Sequence, residues 1–124
     1  MTLQELYQII GGDYDQALRV LRVEKLMDKH IRKFSNNGVV EAVLAAGETL
    51  DPTQMFETAH AVKGVCGNLG LTGLYELASE LSDEFRPGNA RQMSDEQVKE
   101  KLGELSALYQ RAADGIRQYE ASEN

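Results

Sequence analysis

One histidine, one lysine and three glycines fall within the twelve residues AHAVKGVCGNLG, positions 59 to 70. Imidazole changes its charge near neutral pH, and its neutral form offers a nitrogen lone pair as a nucleophile. Lys63 follows His60 by three residues, so on a helix the two share a face, and its ammonium would draw in an anion. Gly64 and Gly67 are harder to explain. A glycine inside a helix costs about 1 kcal/mol relative to alanine, because it has the most backbone freedom to lose.

A helical wheel supplies a reason. With His60 at zero and 100° per residue, Met55, Ala59, Val62, Val65, Cys66 and Leu69 fall between about 140° and 260°, which is the core face. Thr53, Phe56, Glu57, Lys63, Gly64 and Gly67 lie within about 60° of His60 on the opposite side. The histidine therefore points away from the core, and the glycines strip the surface beside it to bare backbone. A bulky group can then reach the ring without striking a neighbouring side chain. An exposed imidazole, a bare flank and a nearby ammonium suit a phosphoryl group. A lone surface histidine is more often merely solvated, and His30, without such surroundings, reads that way. Helix glycines can also mark close packing, but packing glycines belong on the core face. Gly70 reads as a helix C-cap, and Phe56 with Glu57 and Thr53 as a contact surface around the histidine.

The elements that must hold this constellation are nearly all helical. Gly11–Gly12 ends a short first helix, and Asp13 with Gln16 has capping-box spacing. From there to Phe34, Val20, Val23, Met27, Ile31 and Phe34 recur at steps of three or four, which predicts one continuous helix. SNNG at 35 to 38 is a turn signal, and Val40, Val43 and Leu44 mark a short helix that tolerates Gly47. Asp51–Pro52, with Gln54 completing a box, opens the helix that carries His60. Leu71, Leu74, Ala78, Leu81 and Phe85 form the next stripe, with Thr72 beginning that helix. RPGNARQ at 86 to 92 is a loop, and Ser94 with Gln97 caps a long last helix. Its stripe, Val98, Leu102, Leu105, Tyr109, Ala112, Ile116 and Tyr119, has the 3.5-residue average spacing of helices packed nearly antiparallel.

These stripes must be buried, and short loops make consecutive helices antiparallel. The expected fold is all-α: a single domain over residues 1–124, an antiparallel four-helix bundle with additional short N-terminal helices. The bundle should span about 14 to 120, with 121–124 a frayed tail. A coiled-coil dimer fits less well, because each stripe is short and ends in a strong turn signal.

Composition narrows the function. The formal net charge is −7, and the sequence reads as acidic throughout, without the basic patch a nucleic-acid binder needs to displace phosphate counterions. No apolar run reaches the ~18 residues of a membrane span, and MTLQELYQII lacks the features of a signal peptide. Cys66 is the single cysteine, which fits a reducing compartment; the expected location is the cytoplasm, and the expected state a monomer.

Phe56, Ala59–His60, Lys63–Gly64 and Gly67–Asn68–Leu69–Gly70, followed by Leu74, Leu77 and Leu81, resemble the histidine-containing phosphotransfer (HPt) domain. That family's pattern runs roughly F-x-x-A-H-x-L-K-G-x-x-x-N-x-G on a bundle helix. The similarity is concentrated in residues 52 to 86, and the helical pattern from about 14 to 120 is compatible with it. The resemblance implies that His60 accepts a phosphoryl group from a receiver's aspartyl phosphate and passes it to another receiver. It implies response-regulator receiver domains or a hybrid histidine kinase as partners. Lys63 would neutralise the phosphate, Gly64 would give access, and Gly70 matches a family glycine near the helix end. Ala61 stands where a hydroxyl residue is frequent, Val62 replaces leucine, and Ser82 occupies a region where some members carry a longer polar side chain near the phosphate. The chain shows no Walker pattern and no ATP-binding fold. It is thus expected to be a carrier rather than an enzyme, without a cofactor of its own, the Mg²⁺ belonging to the receiver.

Two other functions compete with this reading. Glu57-x-x-His60 has the spacing of a di-iron bundle motif, but Met27 stands where His30 would need its partner glutamate, and Lys63 would repel a cation. A helical interaction module that docks through Phe56 without phosphorylation is the stronger alternative.

Overall fold

The computed structural model describes residues 1–122. It contains seven helices among those residues: α1 (Leu3–Ile10), α2 (Tyr14–Leu21), α3 (Glu24–Phe34), α4 (Val39–Ala46), α5 (Pro52–Leu69), α6 (Thr72–Glu84) and α7 (Asp95–Ala121). Helices α3, α5, α6 and α7 form the bundle; α1 lies on α7, α2 on α5, and α4 closes against α5 and α7. The three long stripes are buried as their spacing requires. Met55, Ala59, Val62 and Cys66 of α5 have no exposed surface, nor do Ala78 and Leu81 of α6 or Val98, Leu105 and Ile116 of α7. The periodicity at 3.5 residues is what lets α7 stay against the bundle over its whole length.

The helix that carries His60 is fixed at both ends. The Asp51 carboxylate accepts from the Gln54 N–H at 3.0 Å, and Pro52 occupies the first turn, where its missing N–H costs nothing. At the other end Gly70 adopts φ +68°, and the Leu71 N–H folds back on the Cys66 carbonyl at 2.9 Å. Gly70 is required twice over. A side chain would be strained at that φ, and its Cβ would run into the Asp13 carbonyl oxygen. The Asp13 N–H in turn donates to the Gly70 carbonyl at 2.7 Å. The two-residue joint Gly70–Leu71 sends α6 straight back along α5.

The continuous helix expected from Asp13 to Phe34 is in fact two. Arg22 turns to φ +78°, Val23 is extended, and the chain restarts at Glu24. Val20 and Val23, expected in the core, are therefore 41% and 50% exposed. The break lets Ala17 bury itself on α5 while Met27, Ile31 and Phe34, all without exposed surface, face the bundle. Periodicity could not reveal it, because the three-residue step from Val20 to Val23 keeps the helical count across a left-handed residue.

Three tyrosines tie α1 to the end of α5, and α4 and α3 to α7. The buried Tyr7 hydroxyl donates to the Leu69 carbonyl at 2.8 Å, at the end of α5. Tyr109 donates toward the Ser35 carbonyl at 3.1 Å and Glu41 at 2.9 Å, and Tyr119 to Asp28 at 2.5 Å. Burial, and then the Glu41 carboxylate beside it, push the Tyr109 phenol up to about 12. Both halves of a capping box form at Ser94–Gln97, as expected, and also at Thr2–Glu5. Of the tail expected to fray, Ala121 is the last helical residue and Ser122 caps α7; residues 123–124 lie outside the described residues.

Candidate functional site

His60 stands about midway along α5 and is exposed. Its ring stacks on that of Phe56, one turn earlier, with centroids 5.5 Å apart and planes inclined by 22°. Phe56 is half-buried, and one face of its ring braces the imidazole. No hydrogen bond to either ring nitrogen occurs among the described residues. The ring is thus held by stacking and its nitrogens face solvent.

The two glycines differ. An ideal Cβ on Gly64 would meet nothing within 4 Å, so the flank of His60 on that side is open. A Cβ on Gly67 would lie 3.3 Å from the Tyr75 ring. Gly67, expected to leave bare backbone, instead makes room for a tyrosine from α6. Tyr75 in turn lies under Lys63, whose Nζ is 6.0 Å from the ring centroid. Lys63 is half-buried along this aromatic surface, a placement that carries its charge to the His60 face while the stem is covered.

Thr53 and Glu57 are exposed on the same side of α5. Cys66 points into the core, and burial pushes its thiol up to about 12, which removes it as a competing nucleophile. Ser82 has no exposed surface, and neither its hydroxyl nor that of Ser79 has a partner among the described residues. It is a buried residue of α6, not a surface group reaching over the imidazole.

Two contributors escaped the sequence reading. Tyr75 is one. Arg86, just beyond α6, is the other: its guanidinium carbon lies 5.4 Å from the centre of the Phe56 ring, and it pairs with Asp83 at 3.2 Å. Counting equal steps either way from Leu71 brings Gly67 opposite Tyr75 and Phe56 opposite Arg86. That count was available once α5 and α6 were assigned as an antiparallel pair.

The expected absence of a basic cluster needs correction. Arg19 on α2, Arg22 in the joint, and Lys25, Lys29 and Lys33 on α3 are all exposed, and none makes an ion pair among the described residues. Between residues 19 and 33, six of the chain's 13 Lys and Arg stand against two acids. His30, exposed as expected, borders a groove of about 230 Å³ with Lys33, Val65 and Asn68. A cleft of about 400 Å³ lined by Asp13, Gln16, Gly67, Thr72 and Tyr75 lies beyond the end of α5. His60 lines neither. Small substrates bind in concave sites, whereas this histidine is exposed on its helix outside both cavities. No helix among the described residues is long and apolar enough to cross a membrane.

An exposed, braced histidine thus stands in the middle of a bundle helix. The family model of the Hpt domain matches residues 25–115, and the chain belongs to that family. Its members are phosphotransfer carriers of phosphorelays that work with receiver domains and kinases. The match covers α3 through most of α7 and leaves α1 and α2 outside. No curated protein and no solved structure matches the chain.

Proposed function

We propose that His60 is the phospho-acceptor of a two-component phosphorelay, taking a phosphoryl group from a receiver's aspartyl phosphate and delivering it to the aspartate of another receiver. One observation carries this reading: the His60 ring is exposed and braced on Phe56, with nothing for a side chain to touch at Gly64 beside it. In the forward step a ring nitrogen lone pair attacks phosphorus. The new N–P bond forms as the acyl phosphate P–O bond breaks, and the aspartyl oxygen keeps the electron pair as carboxylate. The second ring nitrogen carries the proton. Delivery is the same displacement run toward a new carboxylate, so the domain needs no acid or base beyond the imidazole. Positioning and charge neutralisation dominate such transfers. Lys63 and Arg86 bring two positive charges to either end of the Phe56–His60 stack, and the receiver supplies the Mg²⁺. Thr53, Phe56 and Glu57 form part of the surface the receiver covers, and the reading places the protein in the cytoplasm.

His60→Gln tests the proposal. The side chain supports no packing, so the fold should hold by circular dichroism while acceptance of label from a charged receiver is lost. Label on the unsubstituted protein should be lost in acid and stable in base, as a phosphoramidate bond requires. Label that persists on the Gln variant, or that survives acid, would overturn the assignment.

A further inference from the structure

Helix α3 presents Leu26, Lys29, His30 and Lys33 to solvent on one face, while Met27, Ile31 and Phe34 fill the core from the other. We infer that this outer face, together with the groove between α3 and α5, is the docking surface for an acidic flank of the receiver that exchanges phosphoryl with His60. The inference rests on the carrier reading and adds the side of the histidine on which the partner lies and the charge it presents there.

Charge pairing supplies the first argument. Elsewhere in the molecule four of the seven basic groups are matched: Arg86 with Asp83, Arg91 with Glu84, Lys101 with Glu80 and Arg117 with Asp114. Lys63, Lys99 and Arg111 stand apart from one another in sequence and do not form a ladder. On α3 Arg32 is matched too, with Asp28 at 2.9 Å. Lys25, Lys29 and Lys33 are not, although the chain carries a net charge of −7. They stand four residues apart, so each neighbours the next on the helix surface, and like charges so placed destabilise a helix by a few tenths of a kcal/mol per pair. Stability gives no reason to keep this ladder.

Geometry supplies the second. The groove is walled by Leu21, His30 and Lys33 on one side and by Val65 and Asn68 of α5 on the other. Asn68 is two turns from His60, with Gly64 between them. A specific interface covers about 800 Å² per partner, a patch roughly 30 Å across, and packed helices are about 8 to 10 Å apart. A receiver centred on His60 therefore overlaps α3. The other flank differs: on α6 Glu80 and Asp83 are paired with Lys101 and Arg86, and Glu76 is exposed. A run of lysines unpaired among the described residues, on one side only of the histidine, fixes the orientation of a partner as well as its approach.

Chemistry selects the occupant. A receiver that holds Mg²⁺ must do so with oxygen ligands, chiefly carboxylates, so the rim of its active site is acidic. A long polyanion fits less well, because outside residues 19–33 this chain has seven basic residues against eighteen acidic ones, and a nucleic acid or an anionic bilayer would meet that repulsion.

The test uses Lys29→Glu/Lys33→Glu in the full chain, with receivers of the source genome charged from radiolabelled acetyl phosphate, and phosphoramidate as a small donor that needs no docking. Transfer from the fastest receiver should fall at least tenfold at about 0.02 M salt and recover to within about threefold at about 0.5 M, where the Debye length shrinks to a few ångströms. Phosphoramidate labelling should be unchanged, and Lys99→Glu, an exposed lysine of α7, should leave transfer within twofold. Equal transfer by the double variant at low salt overturns the docking surface while leaving the carrier reading intact. Failure of every donor to label His60 overturns the carrier reading itself. Binding to phosphatidylglycerol vesicles or to duplex DNA that the double variant loses, with receiver transfer unaffected, assigns the face to a polyanion and also overturns the inference.

Discussion

Gly64 offers the sharpest test of how the site works, because stability and transfer should move in opposite directions there. A Cβ at this position would have open space around it, so Gly64→Ala adds a methyl without displacing anything. The gain is the helix propensity of alanine over glycine, about 0.5 to 1 kcal/mol, which raises the melting temperature of a domain this size by about 3 °C. Gly64→Gln should retain most of that gain but place a long side chain one turn beyond His60. Helical side chains lean toward the N-terminus, and Cβ atoms four residues apart are about 5 to 6 Å from one another. The glutamine therefore lies over the imidazole, across the approach that an in-line attack at roughly 3 to 3.5 Å demands. Transfer from a charged receiver should fall ten- to a hundredfold, equivalent to about 1.4 to 2.7 kcal/mol of barrier.

Label transfer measured beside a thermal melt separates the two effects. The alanine variant should be more stable and transfer nearly normally; the glutamine variant should be more stable and slow. Gly103→Ala, at an exposed α7 glycine that also has open space around it, controls for stabilisation alone. Should Gly64→Gln transfer within twofold of the unsubstituted protein, open access is not why this helix tolerates a glycine beside its histidine.

Lys63→Ala should slow transfer by less than about tenfold, since an exposed charge of this kind contributes about 0 to 1 kcal/mol; complete loss in the same label assay would assign Lys63 a chemical step. Glu84 offers a stability test away from the site. Burial pushes its carboxyl up, but the Met93 N–H, the Arg91 guanidinium and the Gln92 N–H together outweigh that and hold it below the usual carboxylate range. Its contribution is present above the unfolded value near 4.5 and lost as pH falls through the lower folded value. Glu84→Gln should cost about 2 kcal/mol at pH 7 by urea unfolding and should flatten the loss of stability below about pH 4; an unchanged midpoint would show that this clamp on the 85–94 loop contributes nothing.

What the sequence discloses follows from how local each cause is. Core stripes on α5, α6 and α7 were legible because burial repeats with the helix period, and their ends because Asp51, Gly70 and Ser94 act on backbone groups within a few residues. The direction of His60 was legible for the same reason: it is the complement of the core face on one helix. The break at Arg22 was not, since a left-handed residue there is stabilised by where α2 and α3 pack, 40 and more residues away in sequence. Tyr109 and Tyr119 likewise read as stripe members, and their hydroxyls find partners only when the fold brings Glu41 and Asp28 to them.

The site divides along the same line. His60, Phe56, Lys63 and Gly64 lie within nine residues, so wheel geometry sufficed to group them. Tyr75 and Arg86 belong to the site only through the pairing of α5 with α6. They also change what the glycines mean. Gly64 is open, whereas Gly67 is filled by Tyr75, and the tyrosine then carries Lys63. Two glycines three residues apart thus serve different ends: one leaves space for the partner, the other admits the neighbouring helix that positions a charge. The charged face of α3 completes this distinction. Summed over the chain, its lysines vanish into a net negative total, and no composition argument could find them. Placed on a helix whose core face is settled by Met27, Ile31 and Phe34, they stand together on the outside without an ion pair among the described residues, and Lys33 borders the groove that α3 shares with Val65 and Asn68 of α5.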